Sequence, residues 1–155
     1  MKKSLKRIIL LGLILFFGYL IYLNHLVKGA LSSEIQESEK INQIEYPLEG
    51  YPKEMVNMLL LIEDQSFFQH WGVDFKEIVR VFYGYFLEDR PIRGASTITQ
   101  QLIKNTLLSR DKTLSRKIDE VLMAMLMELN YDKNYILERY MNTVYLAQQG
   151  SIAFH

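Results

Sequence analysis

The stretch that decides the fold is Glu63–Gly72, EDQSFFQHWG, which directly follows the apolar run MLLLI. A helix that is apolar on all sides is a buried helix, so we predict that this run is buried. If the helix continues past the run, Glu63, Phe67 and His70 share one face at i, i+4 and i+7, and Asp64 points about 100° away. In that case the final glycine suits a helix stop.

The two adjacent carboxylates in this stretch allow two interpretations. Burying a carboxylate against an apolar wall is costly unless the group is paired, so a retained buried acid points to function. The ordinary alternative is a helix end with two solvated acids, Glu63 and Asp64, which is the commoner situation for an arbitrary acidic pair. Segments further along the chain favour the functional interpretation.

The composition excludes several classes of site and partner. The chain has 155 residues and no cysteine, so its length is typical of one domain and neither a disulfide nor a thiolate-bound metal can form. Its three histidines are scattered and have no zinc-binding spacing. The 18 basic and 18 acidic residues cancel, so the charge gives no indication of a nucleic-acid partner.

A basic N-terminus followed by a long apolar run predicts a membrane anchor. Residues 1–7 are rich in lysine and arginine, and Ile8–Val27 contains no formally charged side chain. About 20 residues span a bilayer, so the run is long enough, and the preceding cations predict a cytoplasmic N-terminus. The alternative is a signal peptide cleaved near Ala30–Ser32. The length of the run, with Tyr19 and Tyr22 near its outer end, favours a retained anchor.

The rest of the chain divides into an approach segment and a helical domain. Residues 28–51 are polar at first and end in a loop with proline and glycine, so we interpret them as a linker. Residues 52–155 carry four or five helical patterns without convincing strand alternation, so the predicted fold class is mainly α. One pattern, which includes Phe75, Val79 and Phe82, is either an ordinary core helix or an aromatic face that dips into the bilayer interface.

A second polar segment, Gly94–Asn105, reads GASTITQQLIKN. Thr97 and Gln100 form a predicted capping box that starts a helix at the threonine. A glycine loop, two hydroxyls, a helix N-terminus and Lys104 together suit an anionic ligand such as a diphosphate. The alternative is a capped helix after a loop, and the residues leave both interpretations open.

The next helix, predicted to start near Ser115, carries cations where its own stability does not favour them. Arg116 and Lys117 lie in its first turn, where the helix macrodipole disfavours positive charge. Arg116 and Glu120 are also in the less favourable order for an i,i+4 pair. A nearby anion would account for these cations. The alternative is a surface ion pair with Glu120, worth only about 0–1 kcal/mol.

Four segments in this order, EDQSFFQHWG, GASTITQQLIKN, RKIDE and KNYILERYMNTVYL, resemble the peptidoglycan glycosyltransferases. These are membrane-anchored glycan polymerases that occur alone or within bifunctional penicillin-binding proteins. The resemblance covers residues 52–155 and agrees with the N-terminal anchor. It implies a lysozyme-like, mainly helical glycosyltransferase domain behind one transmembrane helix, with a small hydrophobic lobe that touches the membrane.

The resemblance also implies a reaction and the residues that perform it. The substrate would be lipid II, a disaccharide-pentapeptide on a polyprenyl diphosphate, polymerised with inversion and release of the diphosphate. Glu63 would be the general base, and Glu120 would be the second important carboxylate. The other matched positions would bind substrate or support the site: Asp64, Phe67, His70, Gly94, Ser96, Thr97, Gln100, Gln101, Lys104, Asn105, Lys112, Arg116 and Lys117.

The partners and location follow from the same resemblance. The expected partners are lipid II, the growing glycan strand and membrane lipid, with cell-wall synthesis or division proteins as further candidates and no nucleic acid. No cofactor is required by the sequence, and a divalent cation, Mg²⁺ or Mn²⁺, stays open with Glu120 as a candidate ligand. The expected location is the bacterial cytoplasmic membrane, with the catalytic domain on the outer side.

Two other functions stay open from the sequence. A lysozyme-like enzyme that cleaves glycan also uses a catalytic glutamate in a helical domain, but it needs no cationic diphosphate site. The second is an inactive membrane protein that only binds lipid II or division partners. Its main support is the C-terminus, Ser151–His155, which has no helix stop and is expected of a fragment of a longer domain.

Overall fold

The structure is a computed structural model that describes residues 2–40, 46–87, 94–109 and 113–152. Within these ranges it contains six α-helices and no strand, which confirms the mainly α class. Two short 3₁₀-helices, Leu48–Gly50 and Phe67–Gln69, lie between them. The α-helices are α1 (Lys2–Lys40), α2 (Lys53–Glu63), α3 (Phe75–Leu87), α4 (Ile98–Thr106), α5 (Leu114–Asn130) and α6 (Lys133–Ile152).

Helix α1 contains the predicted anchor and also packs against the domain. Lys3–Ser32 is long and apolar enough to cross a membrane, and most of it is exposed. On its outer half, however, Leu23, Val27 and Leu31 are buried in the same core as α5. The Tyr19 hydroxyl donates to the Asp119 carboxylate at 2.5 Å. The outer part of the apolar helix is therefore a structural element of the domain.

The hydrophobic core lies where α4, α5 and α6 meet. Helix α4 packs against both α5 and α6, and the first 3₁₀-helix packs on α6. Hydrogen bonds reinforce the latter contact, because the Leu48 amide donates to Glu138 at 2.7 Å and Asn142 bonds both backbone groups of Tyr46 at 3.0 Å. The largest fully buried apolar side chains are Val27, Phe67, Ile98, Leu102, Ile103, Met127, Ile136 and Leu137.

The prediction that the MLLLI run is buried is wrong. Met58, Leu61 and Ile62 are exposed, and only Leu59 and Leu60 are half-buried against the core. A helix that is apolar on all sides need not be buried in protein if one side faces lipid. These exposed side chains therefore belong to an apolar surface and not to the interior.

The helical continuation through EDQSFFQHWG, which the sequence left conditional, does not occur. Helix α2 ends at Glu63, and Asp64 leaves the helical conformation as its C-cap. A turn and the second 3₁₀-helix follow, so Glu63, Phe67 and His70 do not share a helical face. The local reason is that the Asp64 carboxylate bonds to groups outside the helix, which the helical continuation would not allow.

Helix α3 presents its aromatic face to the outside. Phe75, Val79, Phe82 and Phe86 are exposed, with Phe82 and Phe86 stacked on one another at 6.2 Å between ring centroids. Gly84 is the one buried residue of this helix. The sequence left open a core helix or an exposed aromatic face, and this burial pattern excludes the core helix.

Candidate active site

Asp64 holds the two polar segments together. Its side chain is buried and accepts hydrogen bonds from His70 Nε2 at 3.0 Å and from the Ile98 backbone amide at 3.0 Å. The Ile98 amide belongs to the first turn of α4, where backbone donors lack partners within the helix. Asp64 therefore joins the EDQSFFQHWG stretch to the start of α4, while the neighbouring Glu63 stays exposed.

Thr97 makes a second connection between the same segments. The predicted capping box is confirmed, because the Thr97 hydroxyl accepts from the Gln100 amide and the Gln100 side chain accepts from the Thr97 amide. The Thr97 hydroxyl also donates to the Gly72 carbonyl at 2.6 Å. Gly72 has a φ of +80°, and a Cβ added there would lie 2.6 Å from the Ala124 carbonyl oxygen. Only glycine fits this approach to α5.

The exposed carboxylate of Glu63 is held from one side. Gln101 Nε2 donates to Glu63 Oε2 at 2.8 Å, and the Tyr140 hydroxyl donates to Gln101 Oε1 at 2.9 Å. Burial, and then the negative charge of Glu63, raise the pKa of Tyr140 to about 12. The phenol therefore stays protonated at physiological pH and acts as a hydrogen-bond donor.

Asp74 fixes the loop that separates these segments from α3. Its carboxylate accepts from the Ser66 hydroxyl and, at 2.9 Å, from the Glu77 backbone amide. Asp74 therefore caps the start of α3, while the Glu77 side chain pairs with Arg80. Burial alone would raise the pKa of Asp74, but the Ser66 hydroxyl, the Glu77 amide and nearby His70 together lower it.

Glu120 forms ion pairs with the two cations at the start of α5. Its side chain is 2% exposed and pairs with Lys117 Nζ and, at 3.3 Å, with Arg116 Nη1. Lys117 Nζ also donates to Ser96 Oγ at 3.0 Å. Within the described chain, the buried Nε of Arg116 has no hydrogen-bond partner. The ion-pair alternative is therefore present, but it involves a buried carboxylate and not a surface pair.

A cavity of about 780 Å³ connects Glu63 with this part of the molecule. Glu63 lines it together with the Gly94–Thr97 loop, so Ser96 is both a wall of the cavity and a partner of Lys117. Lys76, Glu77 and Arg80 of α3 also line the cavity. The cavity therefore exposes the Glu63 carboxylate, and its Ser96 wall bonds to Lys117 of the ion-paired cluster behind it.

The other sequence-predicted residues take different positions. Lys104 and Asn105 are exposed on α4, with Lys104 one helical turn beyond Gln101. Phe67 is buried, and the Lys133 ammonium lies 4.3 Å from its ring centroid. Lys112 lies outside the described residues. Sequence reasoning missed Tyr140, whose only signal was a phenol on an apolar helix face, where a buried hydroxyl needs a partner.

The described residues do not form a metal site at Glu120. Both carboxylate oxygens bond to cations, one to Lys117 and one to Arg116. Among the described residues, no three Asp, Glu or His side chains converge. Divalent cations prefer several oxygen ligands, and this arrangement does not offer them. A divalent cation therefore stays a hypothesis from the sequence.

The chain belongs to the transglycosylase family, whose sequence profile matches residues 28–153. It is 39% identical over 119 residues to penicillin-binding protein 1B of Haemophilus influenzae and 43% identical over 104 residues to that of Escherichia coli. These matches cover 77% and 67% of the chain. It is also 34% identical over 166 aligned positions, 94% of the chain, to penicillin-binding protein 1A of Aquifex aeolicus.

The chain spans only a small part of these relatives. The matched regions are 15%, 12% and 23% of the three proteins in the order given. The family match begins at residue 28, so it includes the segment interpreted as a linker as well as the helical domain. The boundary at residue 52 is therefore still a prediction from composition.

Proposed function

We propose that the chain is a peptidoglycan glycosyltransferase that polymerises lipid II, with Glu63 as the general base. The observation that carries the proposal is the position of Glu63. It is an exposed carboxylate with one oxygen held by Gln101, on a cavity that it shares with Ser96, the partner of Lys117. Asp64 is unsuited to the same role, because both of its oxygens already accept hydrogen bonds.

The reaction needs one base and a stabilised leaving group. Glu63 takes the proton of the acceptor sugar's 4-hydroxyl, and that oxygen bonds to the anomeric carbon of the donor. The bond from this carbon to the diphosphate oxygen breaks, and the polyprenyl diphosphate leaves with the electron pair. A single displacement inverts the anomeric carbon. A diphosphate leaves without a proton, so no acid is needed, in contrast to glycoside hydrolysis.

The cation pair of α5 suits the developing charge on the diphosphate. Two cations and one carboxylate leave one net positive charge in the cluster. Lys117 Nζ uses two of its three protons on Glu120 and Ser96, so one is available to a phosphate oxygen. Glu120 then acts by holding Arg116 and Lys117 in place, because a fixed cation needs no reorganisation during the reaction. Lys104 is exposed one helical turn beyond Gln101 and is a further candidate to bind a phosphate oxygen.

The test is polymerisation of labelled lipid II by the 155-residue chain in detergent. Glu63→Gln should lower the rate by about 10²–10⁴-fold, the usual contribution of a general base, and should leave lipid II binding nearly intact. The matched control is Glu54→Gln, an exposed glutamate in the first turn of the same helix, which should keep the rate. Full activity of Glu63→Gln, or no polymer from the unchanged chain, would contradict the proposal.

The two alternative functions give different results in the same assay. A glycan-cleaving enzyme would release soluble fragments from finished glycan and would not consume lipid II. A protein that only binds would retain lipid II without product, and Glu63→Gln would change nothing. The cations around Glu120 favour the transferase over the hydrolase, since a hydrolase has no diphosphate to stabilise.

The proposed location is a single-pass membrane protein with its N-terminus in the cytoplasm and its domain outside. The apolar length of α1 supports a spanning helix, and the cations of residues 1–7 support the orientation. The packing of Leu23 and Val27 into the core supports a retained anchor, because cleavage near Ala30 would remove both side chains. The mature protein should therefore begin at Met1 or Lys2, as intact-mass measurement would show.

A further inference from the structure

Tyr140 is connected to the candidate base by two successive hydrogen bonds. It lies on α6 and is 3% exposed, and its hydroxyl reaches Gln101 Oε1 on α4 at 2.9 Å. Gln101 Nε2 in turn reaches Glu63 Oε2 at the end of α2 at 2.8 Å. Three helices therefore meet in one polar chain that ends on the catalytic carboxylate.

The orientation of the Gln101 amide decides whether its contact with Glu63 is attractive or repulsive. Its NH₂ group attracts a carboxylate, whereas its oxygen in the same place would repel it. The two ends have nearly the same shape, so packing alone does not select one of them. The Glu63 carboxylate only accepts, so it bonds the NH₂ group, and the phenol donates to the amide oxygen at the other end. The two contacts together hold the amide in one orientation. The raised pKa of Tyr140 keeps its hydroxyl proton in place.

The exposure of Glu63 explains why such a constraint matters. An exposed glutamate at a helix end samples several rotamers, and a base works only when one oxygen is aimed at the proton. Of the described residues, Gln101 is the one that hydrogen-bonds to the Glu63 carboxylate, and it does so through Oε2. Oε1 is left to accept the proton of the sugar hydroxyl.

We propose that Tyr140 is a positioning residue for the general base, fixing the Gln101 amide so that Glu63 is held by Oε2 and reacts through Oε1. This inference rests on the proposed function for the role of Glu63. It differs from a packing role for Tyr140, because it assigns the effect to the hydroxyl of Tyr140 and not to its ring.

The test is Tyr140→Phe, which keeps the buried ring and removes only the hydroxyl. We expect kcat for lipid II polymerisation to fall about tenfold, the value of one hydrogen bond, with KM unchanged. The matched control is Tyr51→Phe. Tyr51 is 8% exposed, and its hydroxyl donates to Asn142, which lies on α6 like Tyr140, at 3.2 Å. Loss of this hydroxyl should affect stability but not kcat.

A double-mutant cycle separates the hydrogen-bond chain from general damage. If Tyr140 acts through Gln101, Tyr140→Phe should have no further effect on kcat in a Gln101→Leu background. Additive losses in the double variant would overturn the proposal, as would an unchanged kcat in Tyr140→Phe. Glu63→Gln in the same series distinguishes failure of the role of Tyr140 from failure of the proposed function. If Glu63→Gln is inactive and Tyr140→Phe is not impaired, only the role of Tyr140 is wrong.

A spectroscopic measurement tests whether Tyr140 fixes the Gln101 amide, without relying on turnover. In ¹⁵N-labelled protein, the Gln101 side-chain amide is the NH₂ signal lost in Gln101→Leu. An N–H that donates to a carboxylate resonates downfield of a free amide, so this signal should be shifted in the unchanged chain. It should move toward the free-amide position in both Glu63→Gln and Tyr140→Phe, and not in Tyr51→Phe. A signal unmoved by Tyr140→Phe would contradict the inference.

Discussion

At Gly72 the backbone passes too close to α5 for any side chain. Its φ is +80°, and an added Cβ would lie 2.6 Å from the Ala124 carbonyl oxygen, which is backbone and cannot give way. We expect Gly72→Ala to lower the free energy of unfolding by about 2–4 kcal/mol, from the left-handed conformation and the clash together. Urea unfolding in detergent, followed by far-UV circular dichroism, measures this loss.

The control for this substitution is Gly50→Ala. An added Cβ at Gly50 would meet only side-chain atoms of Pro47 at 3.7 Å, an ordinary contact distance. Gly50→Ala should therefore change the free energy of unfolding by less than about 1 kcal/mol. Equal losses at the two positions would mean that the approach to α5 is not what requires glycine.

Asp74 makes stability depend on pH in the acidic range. Its pKa in the folded chain lies below the ordinary value of 3.8, so it stabilises the fold above that value and loses this contribution as the pH falls through the folded pKa. Asp74→Ala should cost about 1 kcal/mol at pH 7, the usual cost of replacing a capping side chain by alanine. The difference from the unchanged chain should shrink below about pH 4, and a constant difference would contradict this assignment.

Single residues were predicted well where the contact is local and poorly where it is not. The Thr97–Gln100 capping box is a pair three residues apart, and the sequence predicts it correctly. The bond from Asp64 to Ile98 and the bond from Tyr140 to Gln101 join positions 34 and 39 residues apart. Only the tertiary fold brings such atoms together, so periodicity could not reveal either contact.

At the scale of elements, α1 serves both as the apolar helix and as part of the core. Val27 is 0% exposed, whereas Ile21 on the same helix is 70% exposed. Val27→Ala should therefore lower the free energy of unfolding in detergent by about 2 kcal/mol, since it leaves a cavity. Ile21→Ala is the matched control and should have little effect, because its side chain contacts only the detergent. Equal effects would show that α1 does not pack on α5 in solution.

The helices themselves were largely predictable, because strong apolar periodicity marks their presence. The helix predicted near Ser115 begins at Leu114 behind a Thr113 cap, within one residue of the expected start. The end of α2 at Glu63 was one of the two interpretations of the sequence. The burial of Asp64 was not predictable, because its carboxylate bonds to the Ile98 amide, which is distant in sequence. Burial of α2 was mispredicted for a different reason, since an apolar pattern cannot distinguish a protein interior from a surface suited to lipid.

At the scale of the whole molecule, the exposed surfaces of α2 and α3 are apolar, as is the exposed surface of the long helix α1. The exposed side of α2 with Met58, Leu61 and Ile62 and the aromatic face of α3 are unusual on a water-exposed surface. The proposed substrate carries a polyprenyl chain, so it would reach the chain from the bilayer. We expect the domain to rest on the membrane through these surfaces, which would keep the cavity beside Glu63 close to the lipid phosphates.

The chain's single tryptophan, Trp71, can report this contact, because it is 70% exposed and precedes α3 by a few residues. In vesicles of lipid brominated on the acyl chains, we expect quenching of Trp71 fluorescence, since bromine quenches only at close range. Phe82→Ser should weaken the quenching by removing a large apolar side chain from α3. Phe68→Ser is the control, because Phe68 is exposed to nearly the same extent, 56% against 59%, but lies beside Lys133 on α6. Absence of quenching, or equal effects of the two substitutions, would show that α3 does not rest on the bilayer.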